Sequence, residues 1–195
     1  MKKRSCRCFF PTLRMRGGKS VEVTNMMRLW FAADEIGAQY PERFTGRKNG
    51  LVLRFDKNVD PEVRRCVKAF CRWLRQMFSF PLRITVYIRK TAYVQLRTGE
   101  PTSANVWGPY KADAYPYAAV AAGDYRPALQ GKEKDDRLAS ILQSVGHELS
   151  HYYQWITDPH WLEKQDAAAI RREERQAVYY ARQIVDYYAN IRAHP

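Results

Sequence analysis

Hydrophobic spacing along the chain switches between the helical period and the strand period, and each switch marks an element. Met27, Trp30 and Phe31 are spaced for a short helix from about Thr24 to Gly37. "PERFTGRKNG" reads as a loop that leads into a short strand, "LVLRF". Asp60 then stands as an N-cap, with Pro61 at the first helical position. Val63, Cys66, Val67, Phe70, Leu74 and Met77 form one apolar stripe on that helix. Arg64, Arg65, Lys68, Arg72 and Arg75 lie mostly off the stripe, as on a solvated helix surface. In "PLRITVYI", Leu82, Ile84, Val86 and Ile88 alternate with Arg83, Thr85 and Tyr87, which predicts a half-buried strand.

"TAYVQL" is a weaker strand pattern, and "ANVWGPY" and "YPYAAVAAG", joined through "KADA", are two more. Residues 123–136 read as a loop. Two helices close the sequence, over about 135–157 and 161–191, separated by "TDPHW" with the breaker Pro159. This order predicts an α+β domain in which a small mixed or antiparallel sheet packs on helices. The basic stretch 1–20, with Gly17-Gly18, is expected to be a loosely ordered arm, and 21–195 a single domain.

Composition narrows the class. At 46% hydrophobic and 13% aromatic residues the chain is globular, not disordered. No apolar run approaches the roughly 18 residues of a membrane span. The charged N-terminus is not followed by the apolar segment of a secretion signal, so a cytoplasmic location with reduced thiols is expected. Cys6 and Cys8, and Cys66 and Cys71, lack the C-x2-C spacing of a typical structural zinc knuckle. A net charge of +13 points to an acidic partner, with nucleic-acid contact through a basic surface as one outcome and plain solubility as the other.

The chemistry concentrates in "GHELSHYYQW". At about 100° per residue, Leu138, Leu142, Val145, Leu149, Tyr152 and Ile156 share one helix face. His147 and His151 leave the opposite side one turn apart, where two imidazoles can hold one metal ion. Glu148 sits beside the pair, placed to act on water instead of coordinating; this is the H-E-x-x-H arrangement. A catalytic zinc needs a third protein ligand. On the next helix, Ala167, Ile170, Ala177, Val178, Ala181, Val185 and Tyr188 form a stripe with Glu174 in its middle. A carboxylate there needs neutralising, either by the metal or by Arg171 or Arg28. Ala177 and Ala181 are small enough for close helix approach.

"HELSHYYQW", with "EERQAVYYA" beginning 22 residues after His151, resembles the gluzincin metallopeptidases, and most of all the small single-domain minigluzincins with their ImmA/IrrE-like and SprT-like groups. Glu174, Ala177, Tyr180 and Ala181 match the spacing of that family's second helix. The resemblance, over about residues 138–190, implies a zincin-like fold and Zn2+ bound by His147, His151 and Glu174, with Glu148 as catalytic base. One departure is Val178, where family members often carry an Asn or Asp that bonds a ligand histidine; the partner must come from elsewhere or be absent.

The expected activity is zinc-dependent hydrolysis of peptide bonds, more endopeptidase than exopeptidase, on a protein or peptide substrate. Tyr152, Tyr153, His160, Tyr179 and Tyr180 are the candidates to steady the oxyanion. "YPYAAVAAG" is the expected sheet edge for a substrate strand, because Pro116 suits an edge and the alanines leave room. Two alternatives stand beside this: a nucleic-acid-associated zincin-fold protein with a binding or regulatory role and little peptidase activity, and a helical interaction module without metal.

Overall fold

The computed structural model describes residues 29, 30, 32, 35, 44–108, 114–126, 128–158 and 166–191. The N-terminal arm, Cys6, Cys8, Arg28 and His160 therefore lie outside the described residues. Strand β1 (Leu51–Phe55) is followed by helix α1 (Pro61–Met77) and strand β2 (Ile84–Arg89). Short strands β3 (Val94–Gln95) and β4 (Pro101–Thr102) precede β5 (Ala104–Trp107) and β6 (Tyr117–Ala121). Helices α2 (Gly131–Thr157) and α3 (Ala167–Ile191) complete the architecture, which is α+β.

The main sheet is mixed, in the order β1-β2-β6-β5. β1, β2 and β6 run parallel and β5 is antiparallel to β6. This corrects the expected edge: β6 is interior, paired on both sides, and Ala119 is buried. Pro116 precedes the strand, so it removes no ladder donor; its carbonyl accepts from Thr85 N instead. The edge toward α2 is β5. The weak strand pattern at 91–96 is half of a small antiparallel pair, β3 with β4.

Asp60 caps α1 as expected, its side chain accepting from Glu62 N at 2.7 Å. The predicted stripe is buried except for Met77, which is partly buried, and Cys71 and Trp73 beside it are buried too. Trp73 has a second packing partner: it meets Tyr187 and Tyr188 of α3, with ring centroids 5.9 and 5.1 Å apart. Helix α2 begins at Gly131, earlier than the pattern suggested, because its first turns hold only a glycine and charged residues and no apolar marker. Of the segment near 24–37, Leu29, Trp30, Ala32 and Glu35 are helical. Trp30 is fully buried against Phe78 and Tyr153, and its Nε1 donates to Ser150 Oγ at 3.2 Å.

Candidate metal centre

Helix α2 is buried on more than its expected core face. Leu138, Leu142, Val145, Leu149, Tyr152 and Ile156 point into the core, but Glu148, Ser150, His151 and Gln154 are buried as well. The second face is covered because α3 packs tightly along it. Gly146 makes that approach possible: a Cβ there would stand 3.3 Å from Ala181 Cα and 3.6 Å from its Cβ. Ala177 and Ala181 are both buried at this contact.

The close approach brings Glu174 of α3 onto the two histidines of α2. His147 Nε2 and His151 Nε2 are 3.1 Å apart. Glu174 Oε2 is 3.3 Å from His147 Nε2, and Glu174 Oε1 is 3.2 Å from His151 Nε2. These three side chains form a group close enough to share one metal ion, the only such group of three metal-ligating side chains among the described residues. Hydrogen bonding to His147 and then His151 holds the Glu174 carboxyl well below the usual carboxylate range.

The route by which Glu174 arrives differs from the apolar stripe expected. Ala167, Ile170 and Val178 are exposed, and the Glu174 side chain is 53% exposed. Ala177, Ala181, Val185 and Tyr188 of that stripe are buried, together with Ala169, Tyr180, Ile184 and Tyr187. Glu174 is thus held at the mouth of a cleft by the imidazoles, not stranded on a dry face, and its carboxylate meets them and not Arg171.

His151 has a partner that the sequence did not disclose. Gln154 Oε1 lies 2.7 Å from His151 Nδ1. Gln154 Nε2 donates to Glu173 O at 3.0 Å and to Gln176 Oε1 at 2.8 Å. With its amide nitrogen committed to two acceptors, the Gln154 oxygen must accept, so His151 carries its proton on Nδ1. That leaves Nε2, on the side of Glu174 and His147, as the ring nitrogen able to ligate a metal ion. Gln154 takes the part left open by Val178, from one turn along the same helix. It also ties that turn to the backbone just before Glu174.

Glu148 is 4% exposed, and burial pushes its carboxyl up to about 8, against a lowering pull from His147. It lines two hollows that meet at His147 and Glu148 itself. One, about 460 Å³, is polar, with Ser140, Gln143, Ser144, Arg137 and Arg182. The other, about 340 Å³, holds Leu96, Val106 and Ile170 together with Glu173 and Glu174. Thr102 and Ala104 border both, so the β5 side of the sheet forms one wall.

The tyrosines stand away from these hollows. Tyr152 is a core residue whose hydroxyl donates to Leu82 O at 2.6 Å. The Tyr153 hydroxyl donates to Ser79 O at 2.7 Å. Tyr180 is buried and accepts from Leu29 N, and Tyr179 is half exposed beside it. None of the four lines either hollow. Cys66 and Cys71 are free, buried thiols, and burial pushes Cys71 up to about 12, so both serve as small apolar residues. No helix among the described residues is long and apolar enough to cross a membrane. Compared with models of known protein families, with curated proteins and with solved structures, the chain matches none, so the meaning of the centre rests on its own geometry.

Proposed function

We propose that the chain is a zinc-dependent metallopeptidase of gluzincin type, with a zincin-like fold, in which His147, His151 and Glu174 hold Zn2+ and Glu148 is the general base. The observation that carries this reading is the convergence of the donors: the two imidazole Nε2 atoms stand 3.1 Å apart, and the Glu174 carboxylate spans them, Oε2 3.3 Å from His147 and Oε1 3.2 Å from His151. Ligands about 2.0–2.1 Å from a tetrahedral ion stand about 3.3 Å from one another; the spacing of the two imidazoles is close to this, and the carboxylate offers a third ligand atom within 4.8 Å of both. Two imidazoles and a carboxylate suit zinc, and three protein ligands leave the fourth corner open, as catalytic sites require. The likeness of "HELSHYYQW" and Glu174 to the gluzincin pattern supports the same assignment.

A bound zinc ion supplies a Lewis acid at that point, acidifying water and polarising a carbonyl. Glu148 takes a proton from the attacking water and passes it to the leaving amine. Its position at the junction of both hollows puts it beside a bond lying across the cleft. Gln154 keeps the His151 lone pair directed. The free edge of β5 offers main-chain donors and acceptors to a substrate in extended form.

The test is metal content by mass spectrometry on wild type, Glu174→Ala and Glu148→Gln, with turnover of a casein or peptide-library substrate. About one zinc per wild-type chain is expected, sharply reduced in Glu174→Ala. Glu148→Gln should keep its zinc and lose turnover by about 10²–10⁴-fold. Absence of zinc from the wild type overturns the reading. The net charge of +13 favours a second one, a nucleic-acid-associated zincin with little peptidase activity; zinc without any turnover, equal in wild type and Glu148→Gln, would support it.

A further inference from the structure

Among the described residues, the helices cover only one face of the main sheet. Ile84, Val86, Ile88, Ala118 and Val120 point into the core shared with α1, α2 and α3. The residues between them point the other way. On that outer face the 91–95 segment covers Ala119 and Ala121 through Val94. Beside it runs a line of rings. Trp107 lies directly opposite Tyr117, and the two stack with centroids 5.4 Å apart at 30°. Tyr117 meets Tyr87 edge-on at 6.0 Å. The row crosses β5, β6 and β2, and Tyr117 at its centre is 39% exposed.

Cations border the row. Arg89 sits 5.0 Å over the Tyr87 ring. Arg54 is exposed and in register with Tyr87. Arg83 precedes β2 on the same side, and its buried Nε donor has no hydrogen-bond partner among the described residues. At the end where β2 and β6 begin, Arg47 lies 4.9 Å over the Tyr115 ring, and Lys48 N donates to the Tyr115 hydroxyl. Against these five basic side chains stands Asp56, which Arg89 already pairs at 3.3 Å. Beside Tyr117 a hollow of about 640 Å³ opens between the sheet and the 91–95 segment, with Asn105 and Gln95 on its wall.

Stacked rings on an open sheet, with unneutralised arginines around them, suit a ligand that is both planar and anionic at regular intervals. A folded acidic protein would engage the cations and leave the rings unused. A duplex hides its base faces. Single strands present bases for stacking and phosphates for ion pairing. We propose that this outer sheet face binds single-stranded nucleic acid, with bases stacked on Trp107, Tyr117 and Tyr87 and phosphates held by Arg47, Lys48, Arg54 and Arg83. The site is separate from the metal centre and does not depend on the peptidase reading.

The test is fluorescence anisotropy of the full chain with labelled oligo-dT and oligo-U about 20 nucleotides long, beyond the ~4–16 nucleotides one stacking platform spans. A DNA duplex of equal length and oligoglutamate serve as comparisons. Saturable binding of a single strand, at least about tenfold tighter than the duplex or oligoglutamate, is expected; preference between DNA and RNA then names the natural ligand. Tyr117→Ala should weaken it about tenfold, and Arg54→Gln should reduce the salt dependence by about 0.7 of a released counterion. Quenching of tryptophan fluorescence in the wild type, lost in Trp107→Phe, reads the stacking without relying on the alanine variant folding. Neither Tyr117→Ala nor Arg54→Gln should alter zinc content. Absence of single-strand binding overturns the proposal. So does binding that is equal for the duplex and undiminished in both Tyr117→Ala and Arg54→Gln.

Discussion

Gln154 does two things with one amide: it fixes the tautomer of His151 and anchors the α3 backbone at Glu173. Gln154→Leu removes the acceptor and strands a buried imidazole N–H. Zinc affinity in a chelator competition should fall by about 10–100-fold, the usual cost of losing a ligand's hydrogen-bond partner. Gln154→Glu, which still accepts from Nδ1, should recover most of it. The histidine pair and Glu148 could be read from the sequence because their spacing alone defines a helix face. Gln154 could not, since a glutamine one turn along from a histidine is unremarkable until its amide is seen to bridge two helices. The apolar pattern of α3 accounts for Glu174 only in part. The stripe suggested a buried carboxylate, but Ile170 and Val178 on that stripe line the open cleft, and what holds Glu174 is the imidazole pair.

At the scale of elements, the distance between α2 and α3 decides whether the three donors converge. Gly146, one residue before His147, sets that distance at Ala181. Gly146→Val improves local chain stiffness but needs the two backbones to part, and Glu174 moves with α3. The expected outcome is a folded variant, by circular dichroism, with clearly weakened zinc binding; full retention of zinc would show that α3 can rotate to compensate. Local patterns placed β1, α1 and β2 well because each carries its own hydrophobic period. Strand order is a different kind of information. "YPYAAVAAG" looks like an edge because its residues are small and follow a proline, yet small residues equally suit a strand hemmed in by β2 and β5. Only pairing distinguishes the two.

At the scale of the whole molecule, Glu62 joins three parts of the fold. Its carboxylate meets Lys134 of α2 at 2.7 Å and the Tyr125 hydroxyl at 2.5 Å, from the first turn of α1. The hydrogen bond from Lys134, and next that from Tyr125, hold the Glu62 carboxyl below its ordinary value. A carboxyl lowered on folding adds stability above its unfolded pKa of about 4.3, and this is lost as pH falls through the lowered folded value. Glu62→Gln should therefore lower Tm by a few degrees, roughly, at pH 7. The gap from wild type should close as the pH drops below about 4; a gap that stays constant in acid would assign the loss to packing instead. The α+β class was legible from element order, whereas the open outer face was not: its rings come from three strands whose adjacency no local spacing encodes.

Trp30 carries a consequence for where cooperative unfolding begins. Its indole is fully enclosed and bonds Ser150, the residue immediately before His151. A fragment beginning at the first strand would leave a void the size of an indole against α2 and a serine hydroxyl without its donor, a loss on the order of 3–5 kcal/mol. The turn around residue 30 and the histidine helix therefore melt as one unit, and the smallest fragment able to keep the centre intact starts before Trp30.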